Sequence, residues 1–187
     1  PSNLTFPLFV KPARSGSSRG TTKVKQKSEL AAAVNNALGF DTKVIIEQSV
    51  VGKEIECAVL HADGKLTVSQ VGQILLSDKF EFYDFQAKYL DNSMQLLVPA
   101  DLPAGVEAKI QQAALTAFKA AGCEGLARID FFYSTEGEII INEINTMPGF
   151  TPTSVYPKLI EKSGVNYQQL ITKLIQTAQN RSLSITR

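Results

Sequence analysis

The residues best suited to chemistry lie at the open end of one predicted β-hairpin. Two runs of β-branched and aromatic residues flank a short glycine-containing turn within residues 126–143, a pattern typical of two antiparallel strands. In such a hairpin the start of the first strand lies beside the end of the second. The hairpin should therefore bring together four polar side chains from the strand ends: Arg128, Asp130, Glu143 and Asn145.

These four side chains suit the binding of a cation and an anion. The carboxylates of Asp130 and Glu143 and the amide oxygen of Asn145 form a hard ligand set that fits magnesium. Arg128 beside them would serve a phosphate or a developing oxyanion. The alternative is an internal Arg–Asp salt bridge with a strand-end glutamate, since an unpaired carboxylate in an apolar strand is costly to bury. The hairpin alone leaves both interpretations open.

The composition limits the possible partners. The 187 residues can bury a real core in one domain or two small lobes, and 44% hydrophobic with 20% charged residues is ordinary for a globular protein. A net charge of +1 and the absence of long apolar runs give no reason to expect a nucleic-acid or membrane partner. The first residues lead almost at once into a strand-like segment, so we expect a piece of a longer protein.

Histidine and cysteine are scarce, with one and two residues respectively. His61 is the single histidine and falls in a predicted turn, while Cys57 and Cys123 lie in apolar contexts without metal-type spacing. The common Ser-His-Asp, Cys-His and multi-histidine zinc arrangements are therefore disfavoured. Chemistry would have to use lysine, arginine, carboxylates, serine and metal.

A glycine- and serine-rich loop follows the first predicted strand, which ends in Lys11. Gly16 and Gly20 make the loop flexible, and its backbone N–H groups could wrap an anion, although the Gly-Lys-Ser/Thr ending of a Walker A loop is missing. The alternatives are a surface hairpin loop with solvated Arg14 and Arg19, or a short basic patch for nucleic acid.

The other elements alternate short strands with amphipathic helices. Ser28 is a typical N-cap and Gly39 a typical stop for the first helix. Ser154 precedes a later helix whose N-terminus would suit a substrate carboxylate. The predicted helices are Ser28–Leu38, Gly105–Ala121, the segment after Ser154, and Tyr167–Ala178; the predicted strands are Pro7–Lys11, Lys43–Gln48, Glu54–Leu60, Leu66–Val71, Met94–Val98 and the two of the hairpin.

More polar candidates stand at strand ends and in a long loop. Glu47 closes one strand and Glu54 opens the next, where they could accept hydrogen bonds from an adenine amine and a ribose, or act as edge charges. Ser77–Asn92 is a long aromatic segment, typical of a lid or of an Ω-loop held by its own aromatics. Lys88 and Tyr89 near its end are candidates to reach an active site.

Four separated stretches carry a family resemblance: VKPARSGSSRG, IIEQ with GKEIECAVL, FYDFQAKY, and ARIDFF with INEINTMPGFTPTSVYP. In this order and spacing they resemble the D-alanine–D-alanine ligases of the ATP-grasp superfamily, across essentially the whole chain. The resemblance implies an α+β, ATP-grasp fold, a mostly antiparallel sheet with flanking helices and a nucleotide held between two lobes. It assigns residues 1–46 to the smaller ATP-binding lobe and 47–187 to the larger C-terminal lobe, without the N-terminal domain that holds the first D-alanine.

The resemblance also implies a role for each candidate residue. The residues implied to bind ATP are Lys11, Ser17, Glu47, Gln48, Glu54 and Lys88, and those implied to bind two magnesium ions, which manganese could replace, are Asp130, Glu143 and Asn145. The reacting oxygens would be contacted by Arg128, Lys88, Ser17 and the N–H of Gly149. The second substrate would be bound by Tyr83, Tyr89, Ser154 and Val155.

The implied reaction is the ATP-dependent ligation of two D-alanines through a D-alanyl acyl phosphate, which supplies peptidoglycan precursor synthesis in the cytoplasm. Tyr89 after the lid lysine and the apolar Val155 favour D-alanine over D-serine or D-lactate as the acceptor. The full-length protein is expected to be a homodimer. Residues 1–187 alone are expected to be inactive, because the first-substrate site is missing.

Two alternatives and one departure remain. A D-alanine–D-serine or D-alanine–D-lactate ligase, or another ATP-grasp carboxylate–amine ligase, would carry much the same motifs. A nucleotide-binding module without catalysis would need a damaged phosphate lysine or metal carboxylate, and these residues are all present. Arg19 stands where the family more often has a small apolar residue, and its role is open.

Overall fold

The computed structural model describes residues 3–75, 95–151 and 153–181. The described residues fall into two compact units, the first extending to Val51 and the second comprising Gly52–Leu75 and the residues from Leu96 onward. The division lies beyond the 46/47 boundary expected from the sequence, because the strand that contains Glu47 and Gln48 pairs within the first unit.

The first unit is a three-stranded antiparallel sheet with a helix packed on it. Its strands are β1 (Leu8–Pro12), β2 (Thr22–Val24) and β3 (Val44–Gln48), in the order β2-β1-β3. A 3-10 turn at Lys27–Glu29 leads into α1 (Leu30–Leu38). Alternate residues of β1 point at this helix, which gives a small core of Leu8, Val10, Val24, Ala33 and Ala37.

The start of α1 differs from the prediction. Ser28 lies inside the 3-10 turn, and Glu29 is the N-cap residue without a side-chain cap bond. The Glu29 carboxylate instead accepts a hydrogen bond from the backbone N–H of Lys25 at 2.8 Å. Ser28 as the helix cap is therefore wrong, whereas Gly39 ends the helix as predicted.

The second unit is built on a five-stranded sheet in the order β6-β5-β4-β7-β8, with antiparallel pairing along β5-β4-β7-β8. The strands are β4 (Gly52–Ala62), β5 (Lys65–Leu75), β6 (Gln95–Leu97), β7 (Leu126–Ser134) and β8 (Ile139–Asn145), and the helices are α2 (Val106–Ala120), α3 (Val155–Lys162) and α4 (Tyr167–Asn180). Within these described ranges, no helix is both long and apolar enough to cross a membrane.

Helices cover both faces of β4. Ile55, Cys57 and Val59 pack in one core with α2. On the other face lies α3, whose buried Tyr156 donates its hydroxyl hydrogen bond to the carbonyl of Val59 at 3.2 Å. The strand is consequently buried at every position from 55 to 60. One of those buried positions is Glu56.

Candidate active site

The hairpin of β7 and β8 positions the four polar residues that the sequence singled out. Asp130 lies directly opposite Glu143, and Arg128 lies opposite Asn145. The pairing register shifts just after Asp130, which is a bulge of the kind that redirects side chains. Since Ala127, Ile129 and Phe131 face α2, alternation places Arg128 and Asp130 on the opposite face of the sheet.

Arg128 forms a bidentate ion pair with Asp130. Its Nε donates to Asp130 Oδ1 and its Nη2 donates to Asp130 Oδ2, both at 2.7 Å. Burial opposes the positive charge, but the hydrogen bonds and charge of Asp130, with the charges of two neighbouring glutamates, outweigh it and raise the pKa of the Arg128 guanidinium above its usual range. Arg128 is therefore a permanent cation with a fixed orientation.

Asp130 sits in a more crowded electrostatic environment than a simple salt bridge. Burial is the main cause that raises the pKa of this carboxyl, and the charge of Glu143 adds to it, against the lowering effect of Arg128. The Asn145 amide donates to Asp130 Oδ2 at 3.0 Å and to Glu143 Oε1 at 3.2 Å. An N–H donor group thus bridges two carboxylates that repel each other.

Glu56 joins this cluster, and the sequence reasoning missed it. It is the cross-strand neighbour of Asp130 on β4, and its Oε2 lies 2.8 Å from Arg128 Nε. Its side chain is only 6% exposed. In the alternation along β4, Glu56 falls on the same side as Glu54 and so looks like another polar-side residue. Only the register between β4 and β7 reveals its partner.

The donor set fits a divalent cation. Among the described residues no three His, Cys, Asp or Glu side chains are grouped as in a metal site, but the expected set consists of two carboxylates and one amide. Asp130 and Glu143 face each other across the hairpin, with Asn145 hydrogen-bonded to both. A cation held between them would relieve the carboxylate repulsion and use oxygen ligands that magnesium prefers.

Within the first unit, the expected nucleotide residues are tied to neighbours. Lys11 Nζ forms an ion pair with Glu47 Oε1 at 2.6 Å across β1 and β3. The Gln48 amide donates to Thr5 Oγ1 at 2.8 Å. The structure therefore brings together the side chains expected to bind phosphate and adenine. Glu54 lies in the second unit on β4, two residues before Glu56.

The glycine–serine loop has an unusual backbone. Ser17 and Ser18 have φ values of 57° and 55°, in the left-handed region that non-glycine residues rarely adopt. Backbone strain of this kind clusters at ligand-binding segments. Arg14 is solvated, as one alternative has it, since its side chain is 72% exposed, and it also bonds to Asp41. Arg19 lies over the Phe40 ring, with its guanidinium carbon 5.7 Å from the ring centroid.

The segment before α3 brings Gly149 and Ser154 together. A Cβ at Gly149 would lie 2.9 Å from Ser154 Oγ, so the chain passes close to this hydroxyl. Ser154 is the N-cap position of α3, as predicted, but its hydroxyl accepts from the Thr151 backbone N–H at 2.9 Å and makes no cap bond. Val155 is 5% exposed and belongs to the core. Tyr83, Lys88 and Tyr89 lie outside the described residues.

Neither cysteine resembles an activated nucleophile. Both are free thiols, Cys57 buried and Cys123 half-buried. Burial raises the pKa of Cys57 to about 12 and also raises the pKa of Cys123. Because the thiolate is the reactive form, neither cysteine is suited to act as a nucleophile.

The antiparallel sheet with helices on both faces, together with a second small antiparallel sheet that carries a glycine–serine loop, is an α+β arrangement of the ATP-grasp class. The chain belongs to the D-alanine–D-alanine ligase family, since the family model for the D-ala D-ala ligase C-terminus matches residues 1–176.

Individual relatives agree with this assignment. A D-alanine–D-alanine ligase of Pseudarthrobacter chlorophenolicus is 50% identical over 186 residues, 97% of this chain and 49% of that protein. The D-Ala:D-Ser ligase VanG from Enterococcus faecalis superimposes with a TM-score of 0.82 at 46% identity, over 94% of this chain and 50% of that one. A D-alanine–D-alanine ligase from Coxiella burnetii superimposes with a TM-score of 0.78 at 37% identity, over 92% of this chain and 45% of that one. This chain thus spans about half the length of the relatives it matches.

Proposed function

We propose that this chain is the ATP-binding and ligating portion of a longer enzyme that joins two D-alanines. The observation that carries the proposal is the cluster on β7 and β8, in which a fixed arginine stands beside two facing carboxylates and an amide. The choice of substrate is supported by relatives that are 50% and 51% identical to this chain and are named D-alanine–D-alanine ligases.

In the proposed reaction a carboxylate of the first D-alanine takes the γ-phosphoryl group of ATP, and ADP leaves. The amine of the second D-alanine attacks the resulting acyl phosphate, loses a proton, and expels inorganic phosphate as the peptide bond forms. In both steps negative charge builds up on the oxygen atoms of the group that is attacked. Fixed cationic and N–H groups stabilise such charge most strongly when water is excluded.

Each residue has a role in this scheme that its chemistry supports. Arg128 and the N–H of Gly149 stabilise the oxyanion of the tetrahedral intermediate. Magnesium would be held by Asp130, Glu143 and Asn145, and when bound it neutralises the phosphate oxygens. For ATP, the binding residues are Lys11, Ser17, Glu47, Gln48, Glu54 and Lys88.

The acceptor is held separately. Ser154 at the start of α3 would bind the carboxylate of the second substrate, near a helix N-terminus that favours anions. Tyr83, Tyr89 and Val155 would shape the pocket. Because VanG is named a D-Ala:D-Ser ligase and is 46% identical, D-serine is the second candidate acceptor.

The test is product formation by the full-length protein with ATP and magnesium. D-alanine is supplied alone and then together with D-serine or D-lactate. We expect D-alanyl-D-alanine from D-alanine alone. Glu143→Gln should reduce kcat by about 10²-fold or more, because charge stabilisation at the reacting phosphate is lost.

Glu136→Gln, an exposed change in the hairpin turn, is the matched control and should keep full activity. Phosphate release without any D-alanyl product would retain the ATP-grasp chemistry and reject the substrate. Dipeptide formation undiminished by Glu143→Gln would reject the metal assignment.

A further inference from the structure

Glu56 is a buried carboxylate that the proposed mechanism does not use. It lies near the middle of β4, between Gly72 on β5 and Asp130 on β7. The residue is 5% exposed. Carboxylates are almost never buried to this extent unless they are paired, so the position calls for a reason.

Its contact is with the Arg128 guanidinium. Arg128 Nε lies 2.8 Å from Glu56 Oε2 and at the same time donates to Asp130 Oδ1 at 2.7 Å. The Nε edge of the guanidinium thus lies between two carboxylates: its proton is donated to Asp130, and Glu56 Oε2 makes a close ion pair beside it without a hydrogen bond. Within the described part of the chain, the Nη1 nitrogen makes no hydrogen bond, so the other edge can donate to an anion.

Arg128 stands between two buried carboxylates that come from different strands. If Arg128 were needed only as a structural partner for Asp130, its two hydrogen bonds to that carboxylate would suffice, and burying a second carboxylate beside it would add a desolvation cost. The arrangement has a use if Asp130 also serves another cation. Its hold on Arg128 would then weaken, and Glu56 would keep the arginine in place.

We propose that Glu56 is a positioning residue that fixes the orientation of Arg128 independently of Asp130. The proposal rests on the ligase function proposed above. Glu56 touches neither substrate nor metal in this scheme; it acts through Arg128, whose outward N–H groups it holds in one direction. The two carboxylates thus have different roles in this scheme, since Asp130 also faces the proposed cation site and Glu56 contacts Arg128 from the neighbouring strand.

The first test is kinetic and uses the full-length protein with Glu56→Gln, Glu56→Asp and the control Glu136→Gln. Glu56→Gln should lower kcat by up to about 10²-fold, the effect of misplacing a catalytic group by about 1 Å. The KM for ATP should be roughly unchanged, because the lost interaction matters in the transition state. Glu56→Asp keeps the charge and should recover part of the loss, and Glu136→Gln should match the parent.

The second test reads the position of Arg128 directly, by ¹⁵N NMR of its Nε–H group. In the parent this proton should exchange slowly with water, because it is hydrogen-bonded to Asp130 Oδ1 while the charge of Glu56 beside it holds the guanidinium in place. In Glu56→Gln the guanidinium is held less firmly, and the proton should exchange faster. This readout needs no turnover. If the parent makes no dipeptide, the ligase function fails while the exchange rate still decides the role of Glu56.

A parent-like kcat in Glu56→Gln would overturn the proposal. So would a lowered kcat with unchanged Arg128 exchange, since Glu56 would then act by some route other than the arginine. Should Glu56→Gln fail to fold, Glu56→Asp carries the same two readouts, and a parent-like result in both would equally overturn it.

Discussion

Asp41 closes the base of the glycine–serine loop with a single carboxylate. It accepts hydrogen bonds from the Arg14 backbone N–H at 2.9 Å, from Arg14 Nε at 3.0 Å, and from the Lys43 N–H at 3.1 Å. The Arg14 side chain is the main cause that lowers the pKa of Asp41 well below its usual range, and the Lys43 N–H adds to it. The carboxylate thus ties the end of β1 to the start of β3.

Asp41→Asn should lower stability in a pH-dependent way. The pKa of Asp41 is lower in the folded chain than in the unfolded chain, where an aspartate titrates near pH ~4. The contribution of Asp41 to the free energy of unfolding is therefore complete above that pH, and it is lost as the pH falls toward the pKa of Asp41 in the folded chain. In urea unfolding, the difference in the free energy of unfolding between parent and variant should be the same at pH 7 and pH 5, and it should be smaller at pH 3.

The control is Asp101→Asn, which removes an exposed ion pair with Lys53. It should change the unfolding midpoint little, as is usual for surface pairs. A gap between parent and Asp41→Asn that widens toward pH 3 would contradict the assignment of the lowered pKa to Asp41.

The grouping of polar residues at the open end of the hairpin was predictable from the sequence because its signal is local. Asp130, Glu143 and Asn145 stood out because they interrupt apolar strands that a short turn connects. Glu56 did not, because its partner Arg128 is reached only through the β4–β7 register. Because β4 and β7 are far apart in the sequence, the residues around Glu56 do not indicate that it pairs with Arg128.

At the scale of elements, Gly20 fixes the return of the loop into β2. It has a φ of +78°, and a Cβ there would lie 2.5 Å from Phe40 Cδ2 and 2.9 Å from Pro12 Cγ. The ring of Phe40 also lies under Arg19. The loop end therefore rests on Phe40, and Arg19, whose role the sequence left open, contributes to that contact.

Gly20→Ala should destabilise the chain, by about 1–2 kcal/mol for the left-handed backbone alone, with the Phe40 contact adding to it. Gly16→Ala is the matched control in the same loop, because a Cβ at Gly16 would have no neighbouring atom within 4 Å and the φ of Gly16 is not left-handed. It should be neutral or slightly stabilising. Equal loss of stability in the two variants, measured by urea unfolding, would contradict this account.

The order of strands and helices was readable from the sequence because alternation and helical spacing act over a few residues. The paired strands β4 and β5, helix α2, and the β7–β8 hairpin confirm their predictions. The burial of β4 was not readable, because α3 covers its second face from a position about a hundred residues later. Ser28 failed as a cap for a local reason, the intervening 3-10 turn.

At the scale of the whole molecule, the two units have separate hydrophobic cores. Leu8 belongs to the core of the first unit at 3% exposure, and Ile129 belongs to the core of the second at 0%. The chain passes from one unit to the other at Val51–Gly52. Units with their own cores commonly open as separate cooperative blocks.

We therefore expect Leu8→Ala and Ile129→Ala to act on different parts of the chain. Each removes buried methyl groups at a site that loses about 2–5 kcal/mol on truncation. In hydrogen-exchange mass spectrometry, Leu8→Ala should accelerate amide exchange mainly in β1–β3, and Ile129→Ala mainly in β4, β5, β7 and β8. The two variants control for each other, since both delete an aliphatic side chain from a strand. Uniform acceleration across both units in either variant would mean that the chain unfolds as one block, and that the two cores are coupled more strongly than their separate clusters indicate.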